Sequence, residues 1–259
     1  MKQQDIHKLP FWETVSRSLK YVLKNKHLLK GISLVVAILT FIQIILGLPY
    51  LCSISFKNCT YDWRQIVTMI SILIASIGVI INYCRVIVCK ASVEFNSFKF
   101  WKQVGLYIAS LISVSIIILL PTFISIMGSV FIFNMAKLDN LVTATSILFP
   151  FVFSILLAPL FIIFPAIAVE DYSLIKWKKL FSLTKGNCNA IFWSQFILMM
   201  PYWLLFRALM ATYHLINIDS YIVNLIFVII GVSIGMIDAC IKGAFFAHIY
   251  QFFKFYEKD

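Results

Sequence analysis

Long apolar runs alternate with short polar segments along the whole chain. A helix rises about 1.5 Å per residue, so about 20 apolar residues are needed to cross a hydrocarbon layer about 30 Å thick. Six runs reach that length and predict transmembrane helices at residues 28–48, 66–88, 104–131, 146–169, 190–210 and 221–246. The predicted fold is an all-α, polytopic integral membrane protein that forms a single membrane domain.

Prolines and run length leave other helix counts open. With their flanks, the third and fourth runs exceed what one span needs, which allows tilt or a re-entrant piece. Prolines fall within three of the runs: Pro121, Pro150, Pro159, Pro165 and Pro201. Five or seven helices are therefore the alternatives to six.

Two polar segments have the spacing of amphipathic helices, at residues 11–27 and 172–186. In each, apolar residues recur at intervals of three and four, with lysine or arginine between them. A shorter segment of the same kind surrounds Trp101, so Trp12, Trp101 and Trp177 each precede an odd-numbered run. This pattern predicts three helical hairpins, each introduced by a segment that lies along the inner headgroup layer.

Composition supports lipid as the solvent. Hydrophobic residues make up 61% of the 259 residues and charged residues only 13%. Soluble domains have roughly 45–50% apolar and about 25% charged residues. A water-soluble fold of this size could not cover so much apolar surface.

Lysines and arginines are concentrated in alternate connecting segments, and this distribution predicts the orientation of the chain in the membrane. The net charge is +11, and all lysines and arginines except Lys57, Arg64, Lys137 and Arg207 fall in alternate connections and the two ends. The positive-inside rule then places both termini in the cytoplasm. Because no continuous basic stripe forms, nucleic acid is not an expected partner. Anionic lipid headgroups at the inner face are the expected partner, and a membrane-protein partner stays unspecified.

The carboxyl end is dense in aromatic residues, with lysines among them. This pattern is typical of an aromatic belt with basic anchors on anionic lipid. The residues concerned are Phe245, Phe246, Tyr250, Phe252, Phe253, Phe255, Tyr256, Lys254 and Lys258.

Cysteines suggest one covalent feature and no metal site. Cys52 and Cys59 both fall in the first predicted outer loop and are a candidate disulfide; two free thiols are the alternative. No spacing matches a structural zinc site. We predict no metal and no cofactor.

Asp238 and Lys242 are the candidate intramembrane polar pair, four residues apart in the last run. Each would cost about 2.5–3.5 kcal/mol if unpaired at the bilayer centre, and at this spacing they can pair on one helical face. They form either a polar site inside the bundle or a pair near the inner interface, where Lys242 extends to the headgroups. Their position past the middle of the run favours the second interpretation.

Catalytic patterns are missing. The histidines His7, His27, His214 and His248 are scattered, and no metalloprotease, nucleophile-elbow, P-loop or dinucleotide motif occurs. Intramembrane aspartyl proteolysis needs two carboxylates, and Asp238 has no partner carboxylate in the predicted spans. We therefore predict that the protein is not an enzyme.

Two stretches resemble a known family. Phe164-Pro165-Ala166-Ile167-Ala168-Val169-Glu170 closes the fourth run, and Leu180-Phe181-Ser182-Leu183-Thr184-Lys185-Gly186-Asn187 leads into the fifth. Together with the order of elements, they resemble the six-helix membrane domain of bacterial glycerophosphodiester phosphodiesterases and its free-standing YciC-like relatives. The serine directly before Leu183 departs from that pattern. The resemblance implies a bacterial inner-membrane protein with a role in envelope maintenance, without the phosphodiesterase activity.

Two functional hypotheses follow. The first is a non-enzymatic inner-membrane protein that maintains or assembles the cell envelope through lipid or protein contacts. The alternative is a small transporter or lipid-handling carrier that uses the proline-broken helices and the pair Asp238–Lys242. A tight, dry interior would favour the first hypothesis, and a polar cavity the second.

Overall fold

The computed structural model describes residues 8–46, 63–90, 97–135, 148, 151–216 and 220–256, and every regular element in these ranges is a helix. We number the α-helices in chain order. They are α1 (Phe11–Lys24), α2 (Lys26–Ile45), α3 (Trp63–Cys89), α4 (Phe98–Met135), α5 (Ile163–Ala168), α6 (Trp177–Leu183), α7 (Cys188–Ile216) and α8 (Tyr221–Tyr256). Two 3-10 segments, Ala158–Ile162 and Tyr172–Ile175, precede α5 and α6.

Four of these helices are long and apolar enough to cross a membrane. The spans lie in α3, α4, α7 and α8, at Trp63–Cys89, Phe98–Gly128, Cys188–Tyr213 and Tyr221–Phe255. Their outward faces carry large exposed apolar side chains, as a lipid solvent requires. The all-α prediction is confirmed, and four of the six predicted spans correspond to helices that could cross a membrane. Within the described residues, α2 contributes only a shorter apolar stretch, Ile32–Ile45.

The fourth predicted run, 146–169, is broken where it is described. Residues 151–156 are helical, Leu157 is a turn, and the 3-10 segment and α5 follow. Pro159 lies in the first turn of the 3-10 segment, and Pro165 lies in the first turn of α5. The N–H groups of a first turn have no partner within the helix, so proline removes no helical hydrogen bond there. Because nearly all of residues 158–168 are buried, this irregular backbone is shielded from lipid.

Other predicted boundaries also differ from the structure. The helices α4 and α7 continue through Pro121 and Pro201, so these two prolines do not end their spans. The lead-in around Trp101 is the first turn of α4 and not a separate segment. The predicted amphipathic helix at 172–186 is split by the extended residue Lys176 into a 3-10 segment and α6. Cys52 and Cys59 lie outside the described residues.

Helix α8 lies at the centre of the bundle and contacts α1, α2, α3, α5 and α7. It approaches α3 closely at Gly243. A methyl group added there would lie 2.6 Å from Tyr83 Cβ and 3.0 Å from the Ile80 carbonyl oxygen. The Cys84 thiol donates to the Gly243 carbonyl oxygen at 3.3 Å. Only glycine fits this crossing.

Helix α1 lies beside the C-terminal turns of α8 and has three distinct faces. The face on the bundle is formed by small and apolar residues: Thr14, Val15, Ser18 and Val22. Ser18 Oγ is 3.1 Å from His248 Nδ1 of α8. A second face exposes Trp12, Leu19 and Leu23, and a third carries charged residues including Arg17 and Lys20. These faces suit a helix in the headgroup layer, and they place the two ends of the described chain on one side of the bundle.

The aromatic carboxyl end differs from the predicted belt. Phe245, Phe246, Tyr250 and Phe253 are buried in the core, whereas Phe255 is exposed. The sequence pattern could not show this because α8 is enclosed by other helices at this level.

Candidate functional site

The structure brings Asp238 and Lys242 together on α8. Lys242 Nζ lies 2.5 Å from Asp238 Oδ2, and the side chains are 24% and 8% exposed, respectively. Since both residues are on one helix at a spacing of four, the helix itself fixes the pair. Asp238 is therefore a charged group inside the bundle, compensated by Lys242.

This ion pair lines a cavity of about 470 Å³ between α3, the start of α4, the segment before α5, α7 and α8. Most of its lining is apolar. The polar groups that reach it are few: Ser76, Gln195, Tyr202, Asp238 and Lys242, with Tyr107 beside them. The size and the small number of polar groups are typical of a ligand pocket, for which about 300–1,000 Å³ is usual.

Small residues on α8 create this space. Gly231, Gly235 and Ala239 follow one another at intervals of four and line the cavity. A methyl group added to Gly235 would meet no atom within 4 Å. These positions are not among the predicted site residues, although their spacing on one helical face was a signal for them in the sequence.

The cavity opens to the surface between α3 and α7. Met69 and Leu73 of α3 and Met199 of α7 line it and are also exposed, with 54%, 42% and 38% of their surface accessible. Because α3 and α7 are both candidate membrane spans, this opening faces the side of the bundle that lipid would cover. A molecule dissolved in the bilayer could enter there without crossing water.

Aromatic rings close the inner wall of the cavity. The rings of Tyr107 and Phe164 are 4.8 Å apart, and Phe164 and Phe246 are 6.0 Å apart. Lys242 Nζ lies 5.6 Å from the centre of the Tyr202 ring, within the distance of a cation–π contact. Tyr202 is a site residue that the sequence pattern did not single out.

A second, smaller cavity of about 200 Å³ lies on the other side of Asp238 and Tyr202. Val15 and Leu19 of α1 and Pro201 of α7 line it. Asp238 and Tyr202 line both cavities, and therefore form part of the wall between them. The amphipathic helix α1 thus lines a cavity that reaches Asp238 from the other side.

Glu170 and Asp171 connect the start of α4 with the end of α8. Glu170 accepts hydrogen bonds from Gln103 of α4 at 2.5 Å and pairs with Lys99 at 2.9 Å. Asp171 accepts from Tyr250 and Lys254 of α8, each at 2.7 Å. We call these two acidic residues the acidic clasp. They are the only adjacent acidic residues in the sequence, which was the available signal.

The electrostatics of Asp171 favour its charged form. Burial alone would raise the pKa of Asp171. Hydrogen bonds from Lys254, Ser173 and Tyr250, and the charge of Lys254, outweigh burial and hold the pKa well below its usual 3.8. Asp171 is therefore ionised at neutral pH.

Both stretches that carry the family resemblance have structural roles. Glu170 ends the first stretch with a positive φ of 62° and belongs to the acidic clasp. In the second, Gly186 adopts a φ of 79°, which favours glycine. The next residue, Asn187, is buried and accepts a hydrogen bond from the Leu9 N–H at 2.7 Å. These residues anchor the chain before α1 and the starts of α4 and α7.

Comparison with known proteins leaves the family open. No protein-family model, curated protein or solved structure matches this chain. The resemblance to the YciC-like group stays a prediction. The residues of the cavity therefore carry the functional argument by themselves.

Chemically, the cavity can hold a molecule that has both hydrocarbon and charged parts. Its apolar walls suit an acyl chain, and the Asp238–Lys242 pair suits a polar group. Within the described residues, no group of three potential metal-binding side chains comes together.

Proposed function

We propose that this chain is a non-enzymatic membrane protein that binds a lipid in the cavity beside Asp238 and Lys242. One observation carries the proposal: an apolar cavity of about 470 Å³ contains a buried ion pair and opens between two candidate spans. An interior packed without such a space would have favoured a purely structural role. Lipid handling is therefore preferred over envelope maintenance through surface contacts alone.

The proposal includes six membrane crossings with both termini in the cytoplasm. The helix α2 and the broken segment 151–168 are the two further candidates beside the four long spans. The helix α1 and the end of α8 lie on one side of the bundle, which agrees with an even number of crossings. The lysine distribution supports a cytoplasmic location for that side.

The family resemblance adds the compartment to the proposal. YciC-like proteins and the membrane domain of the phosphodiesterases belong to the bacterial inner membrane. We therefore propose that the protein resides there, that α1 contacts anionic headgroups, and that lipid binding serves envelope upkeep.

Filling the cavity tests the proposal. Gly235→Phe places a ring in the open space that faces Gly235, whereas Gly105→Phe adds the same ring at an exposed position with no atom within 4 Å. Both purified variants are exposed to a photoactivatable phospholipid in nanodiscs. We expect cross-linking to cavity residues to fall about tenfold in Gly235→Phe and to stay unchanged in Gly105→Phe.

The two variants also separate binding from folding. The melting temperatures of the two variants should be similar, because a Cβ atom at either position would have no neighbouring atom within 4 Å. Unchanged cross-linking in a folded Gly235→Phe protein would overturn lipid binding in this cavity.

A further inference from the structure

We propose that the cavity selects a zwitterionic phospholipid whose headgroup joins a phosphate to a primary amine. This inference rests on the proposed function and names the lipid class for the same site. It follows from the arrangement of Asp238 and Lys242, which form a compensated pair inside the cavity.

A ligand with one charge fits this pair poorly. An anionic headgroup that recruits Lys242 would leave Asp238, whose side chain is 8% exposed, without its counter-charge. An uncompensated buried charge is strongly unfavourable. A simple cation that pairs with Asp238 would likewise leave Lys242 without its counter-charge.

A zwitterion avoids this loss. Its phosphate can pair with Lys242 while its amine pairs with Asp238, so that one ion pair becomes two and no charge is left alone. Lys242 is the more exposed of the two residues, which suits the larger and more hydrated phosphate, while the amine pairs with the more buried Asp238. The acyl chains then lie along the apolar lining and toward the opening at Met69, Leu73 and Met199.

The amine has to carry hydrogens. In the structure, Asp238 is satisfied by the Lys242 ammonium, which has three N–H donors. A primary ammonium can replace those donors, whereas a quaternary trimethylammonium has none. Phosphatidylethanolamine should therefore bind better than phosphatidylcholine with the same acyl chains.

Competition between lipids tests the selection. The purified protein is equilibrated in mixed micelles with equal amounts of phosphatidylethanolamine, phosphatidylcholine and phosphatidylglycerol that share their acyl chains, and bound lipid is counted by native mass spectrometry. We expect about a tenfold preference for phosphatidylethanolamine, as one hydrogen bond to a charged group implies. The neutral variant Asp238→Asn/Lys242→Gln should lose the preference.

A second pair on the same chain provides the matched control. Glu13 and Arg17 form an i,i+4 pair on α1, outside the cavity, with both side chains exposed. The variant Glu13→Gln/Arg17→Gln removes the same charges and should keep the preference. If the neutral cavity variant fails to fold, the three-lipid competition on the unmodified protein still decides the assignment.

The outcomes separate this inference from the proposed function. Equal binding of the three lipids, still blocked by Gly235→Phe, would overturn the zwitterion selection and leave lipid binding intact. A preference for phosphatidylglycerol would also overturn it. Binding that neither the neutral cavity variant nor Gly235→Phe changes would remove both proposals.

Discussion

At the residue scale, Gln43 is a buried amide that has no hydrogen-bond partner among the described residues. Its side chain is fully buried in α2, and within that part of the chain neither its nitrogen nor its oxygen makes a hydrogen bond. The same holds there for the buried hydroxyls Thr40 Oγ1 of α2 and Thr68 Oγ1 of α3. An unsatisfied polar group in an apolar environment destabilises the fold, so these positions lower the stability of the bundle.

We expect Gln43→Leu to stabilise the protein. Leucine has a similar volume and removes the unsatisfied amide, which should raise the free energy of unfolding by about 1–3 kcal/mol. Thermal unfolding in detergent measures the change. Gln103→Leu is the contrasting variant, because Gln103 donates to Glu170 and its loss should lower stability. A lower melting temperature for Gln43→Leu would mean that the amide does have a partner.

At the scale of elements, the acidic clasp holds the start of α4 and the end of α8 to the segment after α5. Its contacts connect residues that are far apart in sequence, such as Asp171 and Lys254. The 3-10 segment after α5 also depends on it, since Asp171 caps this segment by accepting from the Ser173 N–H. The clasp therefore fixes the ends of elements whose apolar faces alone would allow sliding.

Asp171→Asn should destabilise the protein in a pH-dependent way. Because the folded pKa of Asp171 lies below its usual 3.8, its contribution is present above that value and is lost as the pH falls below it. At pH 6 we expect a loss of about 1–3 kcal/mol, typical of hydrogen bonds to a charged group.

Melting temperatures at pH 6 and pH 3 measure this effect. The difference in melting temperature between the unmodified protein and Asp171→Asn should be smaller at pH 3 than at pH 6. Glu13→Gln, which removes an exposed pair with Arg17, should cost about 1 kcal/mol or less. An Asp171→Asn deficit of the same size at both pH values would exclude the charge as its cause.

The crossing of α3 and α8 predicts opposite effects for two glycines of one helix. Gly243→Ala should destabilise by about 1–3 kcal/mol, because its methyl group would meet Tyr83 Cβ at 2.6 Å and the Ile80 backbone at 3.0 Å. Gly235→Ala points into open space and should be neutral or stabilising by up to about 1 kcal/mol. The free energy of unfolding of both variants is measured in the same detergent. Equal changes for Gly243→Ala and Gly235→Ala would contradict the close crossing of α3 and α8.

At the scale of the whole molecule, helix length sets the position of the bundle in a membrane. Helix α8 has 36 residues and is about 54 Å long, well beyond a hydrocarbon layer of about 30 Å. Its C-terminal turns carry Tyr250 and Lys254, which bind Asp171, and His248, which lies against Ser18 of α1. We infer that this end extends out of the hydrocarbon on the side where α1 lies.

Reporter fusions test the proposed topology. With an even number of crossings and both termini in the cytoplasm, a reporter after Lys258 should be cytoplasmic and one after Leu51 external. Alkaline phosphatase and green fluorescent protein, each fused at both positions, should give opposite activities. The same compartment for both positions would overturn the topology and the orientation of the cavity with it.

Several features could be predicted from the sequence because they depend on local periodicity. Hydrophobic run length identified α3, α4, α7 and α8 as candidate spans, and a spacing of four predicted the contact of Asp238 with Lys242. The amphipathic helix α1 was also predictable, since its faces repeat with the helical period. The break of the run 146–169 was harder to predict, because membrane helices often continue through proline, as α4 and α7 do.

The sequence alone determined that several runs are long and apolar enough to cross a membrane and that Asp238 and Lys242 share a helical face, since composition and helical spacing are properties of the chain itself. Only the tertiary structure decided that Gly231 and Gly235 leave a cavity beside that pair and that α8 crosses α3 at Gly243. It also decided that Lys254 binds Asp171, although the sequence pattern had predicted that Lys254 contacts anionic lipid. The physical reason is that cavities and long-range ion pairs depend on how separate helices pack, which no local pattern encodes.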